Sequence, residues 1–216
     1  MKERKSVSAG RQRGFLSSRQ ALVLLGLLFM TPAFVAWVMH NSTEEGWRPD
    51  GTTNRGVLVH PARPLTLPAG MQVADVAAND YLQGKWTLLY IGDADCDESC
   101  AGNLYKMRQV RIAQNENMNR VQTLFMVLGD GVPDALRELL EKEHANMDEA
   151  IVPAALAGQL APDFLIDGVS MEGAERVYFI DPMGNLMMYY PAEADPGGML
   201  KDLSLIHISE PTRPTT

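Results

Sequence analysis

Cysteine is nearly absent from this chain: its 216 residues hold two, Cys96 and Cys100. Any thiol chemistry must therefore sit in "IGDADCDESCAG", residues 91 to 102. Histidine is almost as scarce, with only His40, His60, His144 and His207. None lies beside the cysteines in sequence, so a nucleophilic mechanism has no assignable base. The chain also lacks a Gly-rich phosphate loop and any internal repeat. Positive charge is short in most of it. From Asn41 to Asp202 there are 12 Lys and Arg against 25 Asp and Glu, a balance of −13. A surface that acidic excludes nucleic acid as the natural partner, because phosphate contact needs cations. It suits a metal cation or an electropositive protein.

At 216 residues the chain has room for one core of ordinary size. Residues 1 to 20 form a basic head, with Lys2, Arg4, Lys5, Arg11, Arg13 and Arg19 against Glu3 alone. Residues 21 to 40, "ALVLLGLLFMTPAFVAWVMH", carry no charged side chain and are long enough to cross a bilayer. The run exceeds the apolar core of a signal peptide, and no A-x-A-like cleavage site follows before "NSTEEGW". It reads as an uncleaved transmembrane anchor. The basic head then predicts a cytoplasmic N-terminus, with the rest of the chain in the periplasm of a bacterium, where disulfides persist.

Residues 41 to 70, rich in Pro, Gly, Thr and Arg, read as an extended tether, with "VLVH" at Val57 to His60 able to form an edge strand. Residues 71 to 202 are expected to hold the folded domain. The tail, residues 203 to 216, is expected to be foreign: "LSLIHISEPTR" matches the translation of a transposase-end adaptor used in DNA sequencing libraries. On that reading His207 has no functional meaning.

Within the domain, "WTLLYIG" and "VQTLFMVLG" are short continuous apolar runs that suit strands buried on both faces. Leu104, Met107, Val110 and Ile112 follow the cysteines at near-helical spacing. "DGVPDALRELLEKEH" has Pro133 and acids early and Leu136, Leu139 and Leu140 on one face, which predicts a helix. Residues 147 to 166 are less regular, with a short helix around Ala154 to Gln159. Val177 to Ile180 and Leu186 to Tyr190 are strands joined by the turn "DPMGN". "DPGGMLKD" starts a last helix. Strand, helix, strand, helix, hairpin, helix implies an α/β domain of the thioredoxin type.

A helix starting near Cys96 would set Cys96 and Cys100 on one face of its first turn, at a separation that allows either a disulfide or two thiolates on a soft metal such as Cu(I). A structural staple is the plain alternative, but closing so short a loop constrains the unfolded chain little. The end of a buried strand and the start of a helix is also where α/β folds expose chemistry. Asp93, Asp95, Asp97 and Glu98 oppose a second anion, which disfavours an aggressive thiolate and favours a cation. They also suit a helix start, with Asp95 the expected N-cap.

The anchor, "KWTLLYIGDADCDESC" and "VYFIDPMGNL" together resemble the Sco/SenC family, over about Gly70 to Tyr190. The segment "GWRPDGTTNRGVLVHPARPL" is similar to small proteins associated with cytochrome oxidase assembly genes. The resemblance implies that Cys96 and Cys100 bind copper, or cycle as a disulfide, during assembly of the copper centre of cytochrome c oxidase. It implies as partner an oxidase subunit or another copper or thiol assembly factor. Two positions depart from the pattern. Ala101 stands where the family usually has Pro after the second cysteine, and no histidine stands near Gly173, where the family's distal copper ligand is expected. Met171 is a candidate soft substitute, with a packed Met the plainer reading. His144 reads as a solvated helix end, and His60 as a loop residue. The remaining Met residues read mainly as packing. A thioredoxin's cis-proline is also absent, since "ER" precedes Val177. Two alternatives to the assembly factor stay open: a non-catalytic scaffold with a structural disulfide, and a periplasmic thiol–disulfide reductase.

Overall fold

The computed structural model describes residues 17–41 and 53–209. The basic head up to residue 16, the part of the tether at 42–52, and the tail from 210 lie outside the described residues. Two units separate, one up to Thr52 and one from Thr53.

The first unit contains helix α1 (Ser18–Asn41). Residues Arg19–Met39 have a mean hydropathy of 2.3 and none of the span is buried, so the helix is long and apolar enough to cross a membrane. Pro32 lies inside it, and the Thr31 hydroxyl donates to the Leu27 carbonyl at 2.7 Å.

The second unit is built on a six-stranded mixed sheet. Its strands are β1 (Val57–Pro64), β4 (Trp86–Asp93), β5 (Val121–Leu128), β6 (Asp148–Val152), β7 (Val177–Ile180) and β8 (Asn185–Tyr190), ordered β1-β8-β7-β4-β5-β6. β4, β5 and β6 run parallel, whereas the pairs β4–β7, β7–β8 and β8–β1 are antiparallel. A small hairpin, β2 (Gln72–Val73) with β3 (Val76–Ala77), and the short helix α2 (Ala78–Tyr81) precede β4.

Alternation along the strands builds two cores. Leu89, Ile91, Leu124, Met126, Tyr178 and Ile180 face one side, against α5 (Ala154–Phe164) and buried residues of 65–82 such as Leu67, Val73 and Leu82. Leu88, Tyr90, Phe125, Val127, Val177 and Phe179 face the other, against α3 (Glu98–Ile112), α4 (Asp134–Glu143) and α6 (Pro196–Ser209). Each such side chain contributes about 1.5–3 kcal/mol by leaving water, and truncating fully buried Phe125 to Ala would cost about 3–5 kcal/mol. In β8, Met187 is an extra residue: Phe179 faces Met188 but Ile180 faces Leu186. This bulge lets Leu186 and Met188 serve opposite cores. The hairpin turn is held by Asp181, whose carboxylate accepts from the Met183 and Asn185 backbone N–H groups at 2.9 and 2.8 Å, with Gly184 at φ +83°.

Several expectations change. The folded unit begins before residue 71, because β1 supplies an edge of the sheet and Leu65 and Leu67 are buried. His60 lies within β1 rather than in a loop. Residues 148–152 form a parallel edge strand that precedes a longer α5 than expected, with Pro162 in its last turn. Ile112 is 47% exposed, and the buried stripe of α3 runs instead through Cys100, Asn103, Leu104, Met107 and Val110. His144 is buried, at 4% exposure, rather than solvated. Helix α6 continues past residue 202 to Ser209, with Leu203 fully buried.

One clamp ties the start of this unit to its last helix. The Asp202 carboxylate accepts hydrogen bonds from the backbone N–H of Arg55 and Gly56, at 2.8 and 3.0 Å, and from the Tyr190 hydroxyl. Burial, then Asp202, holds the Tyr190 hydroxyl far above the usual phenol range. Gly56 is required by the close approach: a Cβ there would stand 2.7 Å from Tyr190 Cζ.

Candidate functional site

Cys96 and Cys100 are joined in a disulfide, with Cα atoms 5.1 Å apart. They sit where buried β4 ends and α3 begins, as the sequence indicates, but the local geometry differs from a shared helical turn. Helix α3 starts at Glu98, and Asp97, not Asp95, is its N-cap: the Asp97 carboxylate accepts from the Cys100 N–H at 2.9 Å. Cys96 precedes the helix in a turn, with φ +22° and its N–H donating to the Asp93 carbonyl at 3.3 Å. The two sulfurs are consequently unequal. Cys100 is 3% exposed and packs into the core beneath α3, while Cys96 is half-buried.

The bridge lines a small pocket with Tyr90, Asp93, Asp95, Asp97, Gly173 and Glu175. Gly173 and Glu175 arrive from the loop before β7, so the position expected for a distal ligand does face the cysteines. It holds a glycine, at φ +65°, with no atom within 4 Å of where a Cβ would stand. Asn103 sets this loop against the cysteine helix. Its side chain is 1% exposed, its Nδ2 donates to the Glu175 carbonyl at 3.2 Å, and its Oδ1 accepts from Lys106 at 3.5 Å. Burial pushes the Tyr90 hydroxyl up to about 12, with Asn103 acting in the opposite direction and the Glu175, Asp97 and Asp93 carboxylates adding to the rise.

Met171 does not join the cysteines. It is 1% exposed in the core on the sheet face opposite α3, so its candidacy as a copper ligand is corrected to packing. His144 lines a different pocket. Among the described residues no cluster of three His, Cys, Asp or Glu side chains could hold a metal ion. Among the described residues the soft donors that line this pocket are the two cysteine sulfurs, and thiolates are available to a metal only when the bridge is reduced. Position 176, before β7, is arginine, whose guanidinium stacks 4.3 Å from the Tyr189 ring centroid.

Tyr90, Asn103 and Glu175 are not foreseen from sequence. Asn103 carried a signal: a polar residue three positions after Cys100 on the stripe that includes Leu104 and Met107.

A mixed sheet with helices on both faces, and a reducible pair at the β4–α3 junction, define a thioredoxin-fold protein. The chain belongs to the family described as transmembrane-like, thioredoxin-like, C-terminal domain, whose model matches residues 86–209, more than half its length. Comparison with curated proteins finds no match. Among solved structures, the fold is similar to apo Sco1 from Thermus thermophilus (TM-score 0.56, 14% identity, covering 73% of this chain and 99% of that one). It is also similar to yeast Sco1 with copper bound (0.53, 15%, 75% and 98%) and to Arabidopsis thaliana ScoI with copper bound (0.53, 18%, 65% and 96%). At these identities the likeness is one of fold.

Proposed function

We propose that this protein is a membrane-anchored, periplasmic thiol–disulfide factor that prepares cysteines of a partner for copper loading during cytochrome c oxidase assembly. The observation that carries the reading is the unequal pair: a half-buried Cys96 bridged to a buried Cys100. The reduced form would act first. Cys96 thiolate attacks a partner disulfide, forming a mixed disulfide and releasing one partner thiolate. Cys100 thiolate then attacks Cys96 Sγ, closing the bridge and releasing the second partner thiolate, so the partner gains two electrons and this chain loses two. The bridged pair is the spent form, and a dithiol donor must recharge it.

Direction follows from charge. Asp93, Asp95, Asp97 and Glu175 oppose thiolate in the reduced form. Asp97 also occupies the Cys100 N–H. A reduced state that is not stabilised makes a reductant rather than an oxidant. The copper-bound state of two structural relatives supports a copper context, and a resemblance to Sco/SenC proteins supports the oxidase as destination. Transient Cu(I) on the two thiolates is the second reading, favoured by the same acidic rim.

The test is the reduction potential of the full chain in detergent, with Cys100→Ser to trap partners as mixed disulfides on Cys96. The expected potential lies below about −200 mV, towards thioredoxin at about −270 mV. A value near that of DsbA, about −120 mV, would reverse the direction. Stoichiometric Cu(I) on the reduced protein, lost in Cys96→Ser, with no exchange against a model disulfide, would leave the metal reading instead.

A further inference from the structure

A second cavity, of about 100 Å³, opens where the C-terminal ends of α3 and α4 meet the start of β5. The cysteines lie at the other end of α3 and of the parallel strands, so this cavity is separate from the disulfide site. Its charge is opposite to that of the domain: Arg108, Arg111 and Lys142 line it against one carboxylate, Glu143. Among the described residues Arg108 is exposed and has no carboxylate partner, and Arg111 uses its Nε, which donates to the Val121 carbonyl at 2.9 Å. Lys142 reaches back to Glu138 on its own helix.

His144 closes the cavity at the end of α4. It is 4% exposed, and its Nδ1 is buried without a hydrogen-bond partner among the described residues. Burial first, then the Arg108 charge, lowers its proton affinity, with Glu143 opposing. Complementing the helix C-terminal carbonyls accounts for Arg111 and Lys142, each in a last turn. It does not account for Arg108, one turn earlier, or for the orphaned imidazole nitrogen.

We propose that Arg108, Arg111, Lys142 and His144 form a binding site for a compact oxyanion of the phosphate class. Arg108 and Arg111, three apart on one helix face, offer two guanidinium forks to the same anion, a geometry suited to paired oxygens. Lys142 adds a point charge from the facing helix. The bound negative charge favours the imidazolium, so binding takes up a proton at His144 against the opposing charges of Arg108 and Arg111 from α3 and with the help of Glu143 from α4. The ligand is either free phosphate or a phosphate-bearing lipid headgroup.

The full chain in detergent micelles is titrated with inorganic phosphate, and separately with sulfate, which does not itself titrate near neutrality. The readouts are hydrogen exchange at 108–112 and 142–147 and the His144 ring resonance. Expected are saturable protection below about 10 mM anion, sulfate binding that strengthens as pH falls from 8 to 6, and about tenfold weakening in Arg108→Gln. Lys142→Gln, on an exposed helix end, is a second variant should the first fail to fold. In nanodiscs, protection by phosphatidylglycerol but not by phosphatidylcholine, without a response to free phosphate, assigns the headgroup as ligand. No protection in either setting, or protection unchanged in both variants, overturns the proposal.

Discussion

Asp97→Asn tests whether charge or helix capping governs the cysteine pair. Asparagine caps a helix about as well as aspartate, so the acceptor for the Cys100 N–H at 2.9 Å is retained while a negative charge beside Cys96 is removed. Asp97 is exposed, so the effect is that of a screened surface charge, about 0.5–1 kcal/mol. For a thiol that corresponds to a fall of about half a pH unit in the midpoint of Cys96 alkylation, since one unit is about 1.4 kcal/mol. In a two-electron couple the same energy is about 10–20 mV, and it should appear mainly at alkaline pH, where the reduced form carries thiolate. Asp97→Ala removes charge and cap together. It should shift alkylation by the same half unit and also cost about 1 kcal/mol of stability, which cancels from the potential if both redox forms lose the cap. The assay is the pH profile of iodoacetamide reaction with the reduced protein, alongside chemical denaturation. A midpoint unmoved in Asp97→Asn but shifted in Asp97→Ala would show that the residue acts through the helix start, and would refute the electrostatic account of the rim.

Asn103→Ala removes the buried amide that joins α3 to the Glu175 carbonyl and should cost about 1–3 kcal/mol, with faster hydrogen exchange confined to the loop 172–176; global loss of protection without loop selectivity would count against a specific tie. Gly56→Ala places a Cβ 2.7 Å from the Tyr190 ring and should destabilise by about 1–3 kcal/mol in denaturant, whereas a change under about 0.5 kcal/mol would mean that the segment shifts freely. Gly173→His adds an imidazole to the loop that faces the dithiol, at a backbone cost of about 1–2 kcal/mol for its positive φ. Reduced protein should then retain Cu(I) against a competing chelator better than the parent, and equal retention would show that a third ligand is not what the site lacks.

Much of the scaffold could be read from the chain because it rests on local patterns. β7 matches its expected bounds, and the following turn is encoded by Asp181 and Gly184. β4 and β5 are mostly apolar because both faces are buried over most of their length, with Thr87, Gln122 and Thr123 the buried polar exceptions. β6 escaped because it is an edge strand of five residues, "DEAIV", in which only Ala150 and Val152 are buried, too few to show a period. The cysteine pair stood out by composition, but its partners in the pocket did not. Gly173 and Glu175 reach it across more than seventy residues of sequence, and only folding decides that Gly173 faces the disulfide while Met171 turns into the opposite core. The choice of Asp97 over Asp95 as cap was hidden for a related reason: a turn held by the Cys96 N–H to Asp93 bond delays the helix by two residues.

The Asp202 clamp has a mechanical meaning. Arg55 and Gly56 are fastened to a carboxylate on the last helix before the chain joins the sheet at Val57, so the start of the folded unit is held from two directions. A pull on the backbone there would load the two hydrogen bonds to Asp202 together with the β1–β8 ladder, because Asp202 is itself braced by the hydroxyl of Tyr190, the last residue of β8.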